Sequence, residues 1–352
     1  MQIFNRYVTI NYLRFCLLTA VAFIGMFTFM DLLARVDDIP LSREAVGLET
    51  SEIFNYYLLN AVFLLFQFLP YILLIAGIGC VTQLLRKREW TPMLSAGRPT
   101  WRLFAPIFIC AMIIATSVSA FREAFILQLL PQHESIQRRL SNHCEWRPTD
   151  LWVRGEGSQR LHAQVFTPGE PARITELEIF SSSKFGNDAR VWADSAEYVD
   201  GKWQLQGGIK TDSKGATSVD VFEASGFSPD DLLLSYFVRK RPLDLNLESY
   251  ANLLQYDSGH RQAETYMWSA RTFPFVVLVL LVLGLSTSIN FERSSSKEGV
   301  ARGLLMCALF FVAELLFRDM GVRGAVSPWL AATAPVSLFA GVSLWAFSRT
   351  PS

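Results

Sequence analysis

The stretch Ile53-Phe-Asn-Tyr-Tyr-Leu-Leu-Asn-Ala-Val-Phe-Leu-Leu-Phe-Gln-Phe-Leu-Pro-Tyr-Ile-Leu-Leu-Ile-Ala-Gly-Ile-Gly-Cys-Val-Thr-Gln-Leu-Leu85 runs for 33 residues without an Asp, Glu, Lys or Arg. A bilayer hydrocarbon core about 30 Å thick is crossed by about 20 apolar helical residues, so this run spans with a margin. On either side of it, uncharged runs recur at Phe15 to Met30, Leu103 to Phe121, Thr272 to Phe291 and Gly324 to Ser348. The 352-residue chain is 51% hydrophobic and only 18% charged, against roughly 25% charged in an ordinary soluble domain. A soluble globular protein is excluded. Six spanning helices are expected, over residues 10 to 34, 55 to 84, 101 to 128, 267 to 290, 300 to 320 and 327 to 347. The fifth has the shortest uncharged core, Gly303 to Ala313, ended by Glu314. The first follows Arg6 and Arg14 as a signal peptide would, but it is long and lacks a small-x-small cleavage site, so it is expected to be retained.

The charged residues concentrate in the middle of the chain. Residues 131 to 267 carry 15 Lys or Arg against 20 Asp or Glu, a net of −5, and the flanks balance this with +5. No basic nucleic-acid-binding surface is indicated. Orientation follows from the cations of the short loops. Arg86, Lys87, Arg88, Arg98 and Arg102 follow the second span, Arg293, Lys297 and Arg302 follow the fourth, and Arg6 and Arg349 lie at the termini. The opposite loops offer only Arg35, Arg43, Arg318 and Arg323. Both termini are therefore expected in the cytoplasm and the polar middle outside it. That middle reads as all-β: Asp150 to Arg154, Leu161 to Phe166, Ile174 to Phe180 and Val191 to Val199 alternate apolar with polar residues between turn-forming clusters. Asp200-Gly201 is a hairpin turn by composition. Pro242 to Tyr266 reads as a partly helical connector. The division expected is 1 to 130 for the first three spans, with a cytoplasmic loop at 85 to 102, 131 to 266 for the β domain, and 267 to 352 for the last three spans.

The absences narrow the chemistry. The chain contains no G-x-x-x-x-G-K-[ST] phosphate loop, no dinucleotide fingerprint, no H-E-x-x-H and no CxxC pair. No cofactor is expected, and ATP hydrolysis is not expected of this chain. His133, His143 and Cys144 lack a recognisable ligand spacing. Only Cys144 of the five cysteines lies in the polar middle, so no disulfide framework is indicated.

Two groups of residues call for a functional reading beside a plain one. In Arg86-Lys-Arg-Glu-Trp-Thr-Pro-Met-Leu-Ser-Ala-Gly-Arg98 the cations fit ordinary loop basicity, whereas Trp90, Met93 and Leu94 beside Glu89 would share one face of a short helix and form a docking surface. Ionisable groups inside spans are costly and suggest function by default. Glu314 is 12 residues from Arg302, about 18 Å along a helix, and so lies well inside the membrane. Arg318, one turn on, can neutralise it, or the pair belongs to a substrate path. Asp31, Arg35, Arg122 and Glu123 lie near outer span ends, where snorkelling is the plain reading and an anionic lipid headgroup at Arg35 the sharper one.

Taken together, Glu89-Trp-Thr-Pro-Met-Leu-Ser-Ala-Gly97, Tyr266-Met-Trp-Ser-Ala-Arg-Thr-Phe-Pro-Phe275 and Phe29-Met-Asp-Leu-Leu-Ala-Arg35 resemble segments of the LptF/LptG (YjgP/YjgQ) permeases of the lipopolysaccharide exporter, and the likeness covers nearly the whole chain. The first looks like the family's Glu-Leu-x-x-Met-x-Ala-Ser-Gly segment, and the other two lean toward the LptG type. The resemblance implies a coupling helix around Glu89, Trp90, Met93, Leu94 and Gly97 docked on a cytoplasmic LptB-like ATPase dimer. It implies a lateral gate at Asp31 and Arg35 facing lipopolysaccharide, a paired LptF-like permease, and a jellyroll-like β domain continuing into a periplasmic LptC/LptA-like bridge in the inner-membrane system. Two departures stand out. Pro92 replaces an aliphatic residue, which fits a helix only at its first turn, and Ala34 stands where LptG-type relatives carry a second lysine. A transport subunit is the reading preferred. The competing ones are a membrane-anchored β receptor, for which one span would suffice, and an intramembrane enzyme using Glu123 and Glu314, for which no nucleophile or metal set is present.

Overall fold

The structure is a computed structural model, and it describes residues 2–87, 89, 100–141, 144–155, 159–181, 189–212, 215–223, 226–257, 259–289 and 296–348. The helices are α1 (Gln2–Ala34), α2 (Asp38–Val46), α3 (Thr50–Arg86), α4 (Thr100–Ser141), α5 (Pro229–Lys240), α6 (Leu247–Tyr256), α7 (Arg261–Ile289), α8 (Ser296–Arg323) and α9 (Pro328–Ser348). Eight strands lie between α4 and α5. The chain divides into a helical unit, Met1–Pro40 with Glu49–Leu129 and Glu264–Ser352, and a β-rich unit, Leu41–Leu48 with Leu130–Ala263.

In the helical unit, five helices are long and apolar enough to cross a membrane: α1, α3, α4, α7 and α9. α8 occupies the expected fifth span with 28 residues, and Glu314, Arg318 and Asp319 interrupt its apolar sequence. α3 is the axis of the unit. Its most apolar window is 56% buried where that of α1 is 11% buried. One face of α3, through Leu69, Leu73, Ala76 and Cys80, packs with Val8 and Tyr12 of α1, Phe104 and Ile107 of α4, and Leu281 of α7. The other, through Leu74 and Ile78, packs with Leu280 of α7, Phe310 of α8 and Phe339 of α9. Without water to drive apolar groups together, such packing relies on close van der Waals approach, which small residues permit. A Cβ on Gly284 would stand 2.2 Å from Leu74 Cδ1, and one on Gly77 would stand 2.9 Å from Leu281 Cδ1. Tyr12 adds a polar link by donating to the Leu73 carbonyl at 3.1 Å.

The β-rich unit is built on β1 (Thr149–Arg154), β2 (Gln159–Thr167), β3 (Arg173–Ser181), β4 (Ala189–Val199), β5 (Lys202–Gln206), β6 (Ile209–Asp212), β7 (Gly215–Ser218) and β8 (Val221–Phe222). All pairings are antiparallel, in the order β1-β2-β3-β4-β5-β8, with β6 also on β4 and β7 on β6. The four stretches read as strands from alternation lie in β1 to β4. The turn at Asp200-Gly201 has φ of 50° and 81°, the two positive values that a tight hairpin matching strand twist requires.

The buried positions change parity midway. Leu161, Ala163, Leu177, Ile179, Val191 and Ala193 are buried, but beyond Gln164, Glu176 and Asp194 the buried residues are Phe166, Ile174 and Ala196. Glu176 has φ of 54° and, with Gln164 and Asp194, falls where the ladder pairing is interrupted, so the alternation slips by one residue there. Trp203 is the largest fully buried side chain of the unit, and its Nε1 donates to the Phe227 carbonyl at 2.7 Å. α5 starts where Ser228 caps it, accepting from the Asp231 amide, with Pro229 in the first turn. Glu134, buried, accepts from Tyr236 at 3.1 Å and pairs with Arg138, and Arg241 contacts His133 Nδ1 at 2.8 Å. Of the three residues weighed as metal ligands, His133 is thus in a hydrogen-bonded network, Cys144 is exposed, and His143 lies outside the described residues.

Truncating Trp203 to Ala removes the centre of this core and should cost about 3 to 5 kcal/mol, read as a lowered unfolding midpoint by near-ultraviolet circular dichroism of the purified chain in detergent. Asp150 accepts from His162 at 2.9 Å and from the Trp152 indole at 3.1 Å. The His162 bond, followed by the indole bond, holds its carboxyl below the usual carboxylate range. A depressed carboxylate stabilises above its unfolded pKa and loses that contribution as pH falls through the folded value. Asp150→Asn should therefore lower the unfolding midpoint modestly near neutrality, with the difference from wild type vanishing as pH falls through the folded value, so that the acid side of the stability profile flattens.

Candidate functional site

Three clusters in the helical unit gather the singled-out residues. At the end of α3, the backbone turns at Lys87 and the Glu89 amide donates to the Leu84 carbonyl at 3.1 Å. This directs Glu89 to α1, where the Tyr7 hydroxyl donates to Glu89 Oε1 at 3.3 Å and Lys87 Nζ donates to the Tyr7 hydroxyl at 3.3 Å. The Lys87 ammonium also lies 6.0 Å from the Tyr7 ring centroid. Carboxylate, phenol and ammonium form a chain of hydrogen bonds joining the loop to the first helix. Tyr7 is 82 residues from Glu89, and no pattern in the sequence pointed to it. Trp90, Met93, Leu94 and Gly97 lie outside the described residues.

The second cluster is at the opposite end of α1. Arg35 Nε donates to Asp31 Oδ1 at 2.9 Å, one helical turn apart, and the Tyr56 hydroxyl donates to Asp31 Oδ2 at 3.4 Å. The guanidinium stands 5.7 Å from the Tyr56 ring centroid, and Tyr57 packs edge-on against Tyr56 at 5.1 Å. Asp31 and Arg35 are brought together, as their spacing allowed. The Arg35 side chain is only 17% exposed. An anionic headgroup would thus meet a cation already shared with a carboxylate and an aromatic face. Tyr56 and Tyr57 were not singled out in the sequence, because two tyrosines in a run of apolar residues carry no motif.

The third cluster is inside α8. Arg318 Nη2 donates to Glu314 Oε1, and the guanidinium lies 5.7 Å from the Tyr266 ring of α7. The two side chains are 18% and 25% exposed, respectively. A Cβ on Gly321 would stand 2.6 Å from Ala331 Cβ of α9 and 3.0 Å from Thr265 Cγ2 of α7, so the backbone of α8 closes against both neighbours just beyond the pair. Glu123 is half-buried on α4 next to Arg122.

The three clusters share a physical character. Each carboxylate is matched by a donor, and among the described residues no group of three or more His, Cys, Asp or Glu is placed to hold a metal ion. Paired charges at helix ends and on one helix turn suit the linking of moving helices better than bond chemistry. Comparison with known families gives this geometry its setting. Residues 6–349 match the family model described as lipopolysaccharide export system permease LptF/LptG. No curated protein matches the chain. The match takes in the five apolar helices, the antiparallel sheet and all three clusters. The protein is thus a multi-pass inner-membrane transport component and not itself an enzyme, and the chain belongs to the LptF/LptG family of lipopolysaccharide export permeases.

Proposed function

We propose that this chain is one of two paired permeases that extract lipopolysaccharide from the inner membrane and pass it to a periplasmic bridge, driven by a separate cytoplasmic ATPase dimer. In this reading α8 is the sixth span, both termini and the loop after α3 are cytoplasmic, and the β-rich unit is periplasmic, its sheet part of a jellyroll-like path for lipid. The partner permease is LptF-like and the bridge LptC/LptA-like, this chain taking the LptG-type role suggested by Phe29-Met-Asp31 and Met267-Trp-Ser269.

The observation that carries the reading is the tie between Glu89 and Tyr7. α1 has 33 residues, a rod of about 50 Å. One end is held by the loop that would meet the ATPase, and Asp31 and Arg35 lie at the other. A displacement of the loop on ATPase closure would be passed along α1 to the gate. The exposed apolar face of α1, with Leu17, Leu18, Val21 and Phe29, and that of α8, with Leu305, Leu309 and Leu316, leave surface for the paired permease or for lipid. The Glu314–Arg318 pair supports a spanning α8, because a neutralised pair on one turn is far cheaper in hydrocarbon than either charge alone.

Pull-down of the tagged chain in detergent tests the coupling assignment. An ATPase subunit should accompany wild type and be lost from Glu89→Arg, while Tyr7→Phe should retain it with weakened coupling of ATP hydrolysis to lipid release. If wild type retains its fold and brings down no ATPase, the exporter assignment fails and a membrane-anchored binding protein replaces it. For α8, Glu314→Leu alone should cost roughly 3 kcal/mol by leaving the guanidinium unmatched, and Glu314→Leu with Arg318→Leu should recover most of the melting temperature. Transport retained by the double variant would assign the pair a structural role, and transport lost in a fully stable double variant would place it in the lipid path.

A further inference from the structure

Where α4 begins and α7 and α9 end, the helical unit carries an apolar groove of about 320 Å³. It is lined by Trp101, Ala105, Phe108 and Ile109 of α4, Val282 of α7, and Leu344 and Phe347 of α9. The groove faces outward, since Ile109 is 62% and Leu344 66% exposed. Its extent is set by the helix ends. Trp101 is the second residue of α4 and Ile109 lies eight residues further on, about 12 Å at 1.5 Å per residue. Phe347 is next to last in α9, and Val282 is two turns short of the end of α7. The groove therefore starts at the interface and reaches through most of one leaflet, half of a core about 30 Å thick.

Its mouth has a definite charge. The exposed guanidinium of Arg102 lies 5.2 Å from the Trp101 ring centroid, and among the described residues no carboxylate pairs with it. Arg102 is thus a cation stacked on an indole at the mouth of an open apolar slot; Arg271 stacks on Trp268 in the same way at 5.0 Å, and neither residue lines this slot. Cations between helix ends at a membrane surface attract anionic lipid headgroups, and indoles favour the same depth. A protein partner would be expected to bring a carboxylate and fill the slot with side chains, but nothing in the slot is polar enough to orient one.

We propose that this groove holds one acyl chain of an anionic phospholipid, its phosphate resting on Arg102, as a structural lipid distinct from any exported one. The proposal rests on the reading of α4, α7 and α9 as membrane spans. The bound lipid would fill the gap between three helix ends that protein atoms leave open and would fasten the start of α4, directly after the loop assigned to ATPase docking.

Native mass spectrometry of the full chain, released from detergent after incubation with phosphatidylglycerol or phosphatidylcholine of identical chains, reads this directly. A cation at an anionic lipid surface is worth about 1 kcal/mol, which converts to about a fivefold preference. Wild type should retain phosphatidylglycerol about fivefold over phosphatidylcholine, Arg102→Gln should abolish the preference, and Ala105→Phe, which fills the slot, should lower retention of both lipids. Leu344→Ser, at an exposed position, is the second slot variant should Ala105→Phe unfold. Equal retention of the two lipids by wild type, an unchanged preference in Arg102→Gln, or full retention by a folded slot variant would each overturn the proposal. The readout involves neither ATPase nor lipopolysaccharide, so an ATPase that still accompanies wild type while the lipid preference is absent would sink this inference alone.

Discussion

Close contact of α3 with α7 at Gly77 and Gly284 is the constraint on which the helical unit depends. In hydrocarbon, apolar side chains gain little by leaving lipid for one another, so helices associate where backbones approach and side chains interlock. Gly284 opposite Leu74, and Gly77 opposite Leu281, bring the two helices together and let α3 present both of its faces to packed neighbours. α1 and α4 then assemble on one side and α8 and α9 on the other. With α3 held in the middle, the ends of the flanking helices fall where the three polar clusters form.

Those clusters follow one rule. A charge in or beside the bilayer persists when a partner lies within one helical turn or on an abutting helix. Asp31 with Arg35 and Glu314 with Arg318 use the turn, while Tyr56, Tyr266 and Tyr7 supply the neighbouring contact from α3, α7 and α1. Tyrosine suits this position because its ring packs with apolar groups and its hydroxyl reaches a carboxylate. Each aromatic partner joins a charged group to a second helix, so a shift of one helix is felt by the other.

Much of this was legible before any coordinates. The uncharged runs carried the helices, since length and hydropathy are local properties and a bilayer imposes a minimum length on a span. The alternation in 150 to 199 carried β1 to β4, and Asp200-Gly201 their tightest turn. The i, i+4 spacing of Glu314 with Arg318 carried that ion pair, because one helical turn fixes the distance by itself, whereas the pairing of Asp31 with Arg35 was not drawn from the sequence. The change of buried parity at Gln164, Glu176 and Asp194 was not legible, since it needs a residue other than glycine at φ of 54°, which no local preference announces. Ser42 is fully buried in a short helix of little apolar content, a burial set by what packs over it.

What the sequence determined by itself was the set of elements, their lengths and the charges they bear, because helix and strand periodicities and the apolar span are written in neighbouring residues. Only the tertiary structure decided which tyrosine answers which carboxylate. Tyr7 meets Glu89 across 82 residues and Tyr56 meets Asp31 across 25, and those separations close only once α3 is packed in the centre, where contacts of a few ångströms depend on the crossing of whole helices and not on any residue's neighbours in the chain.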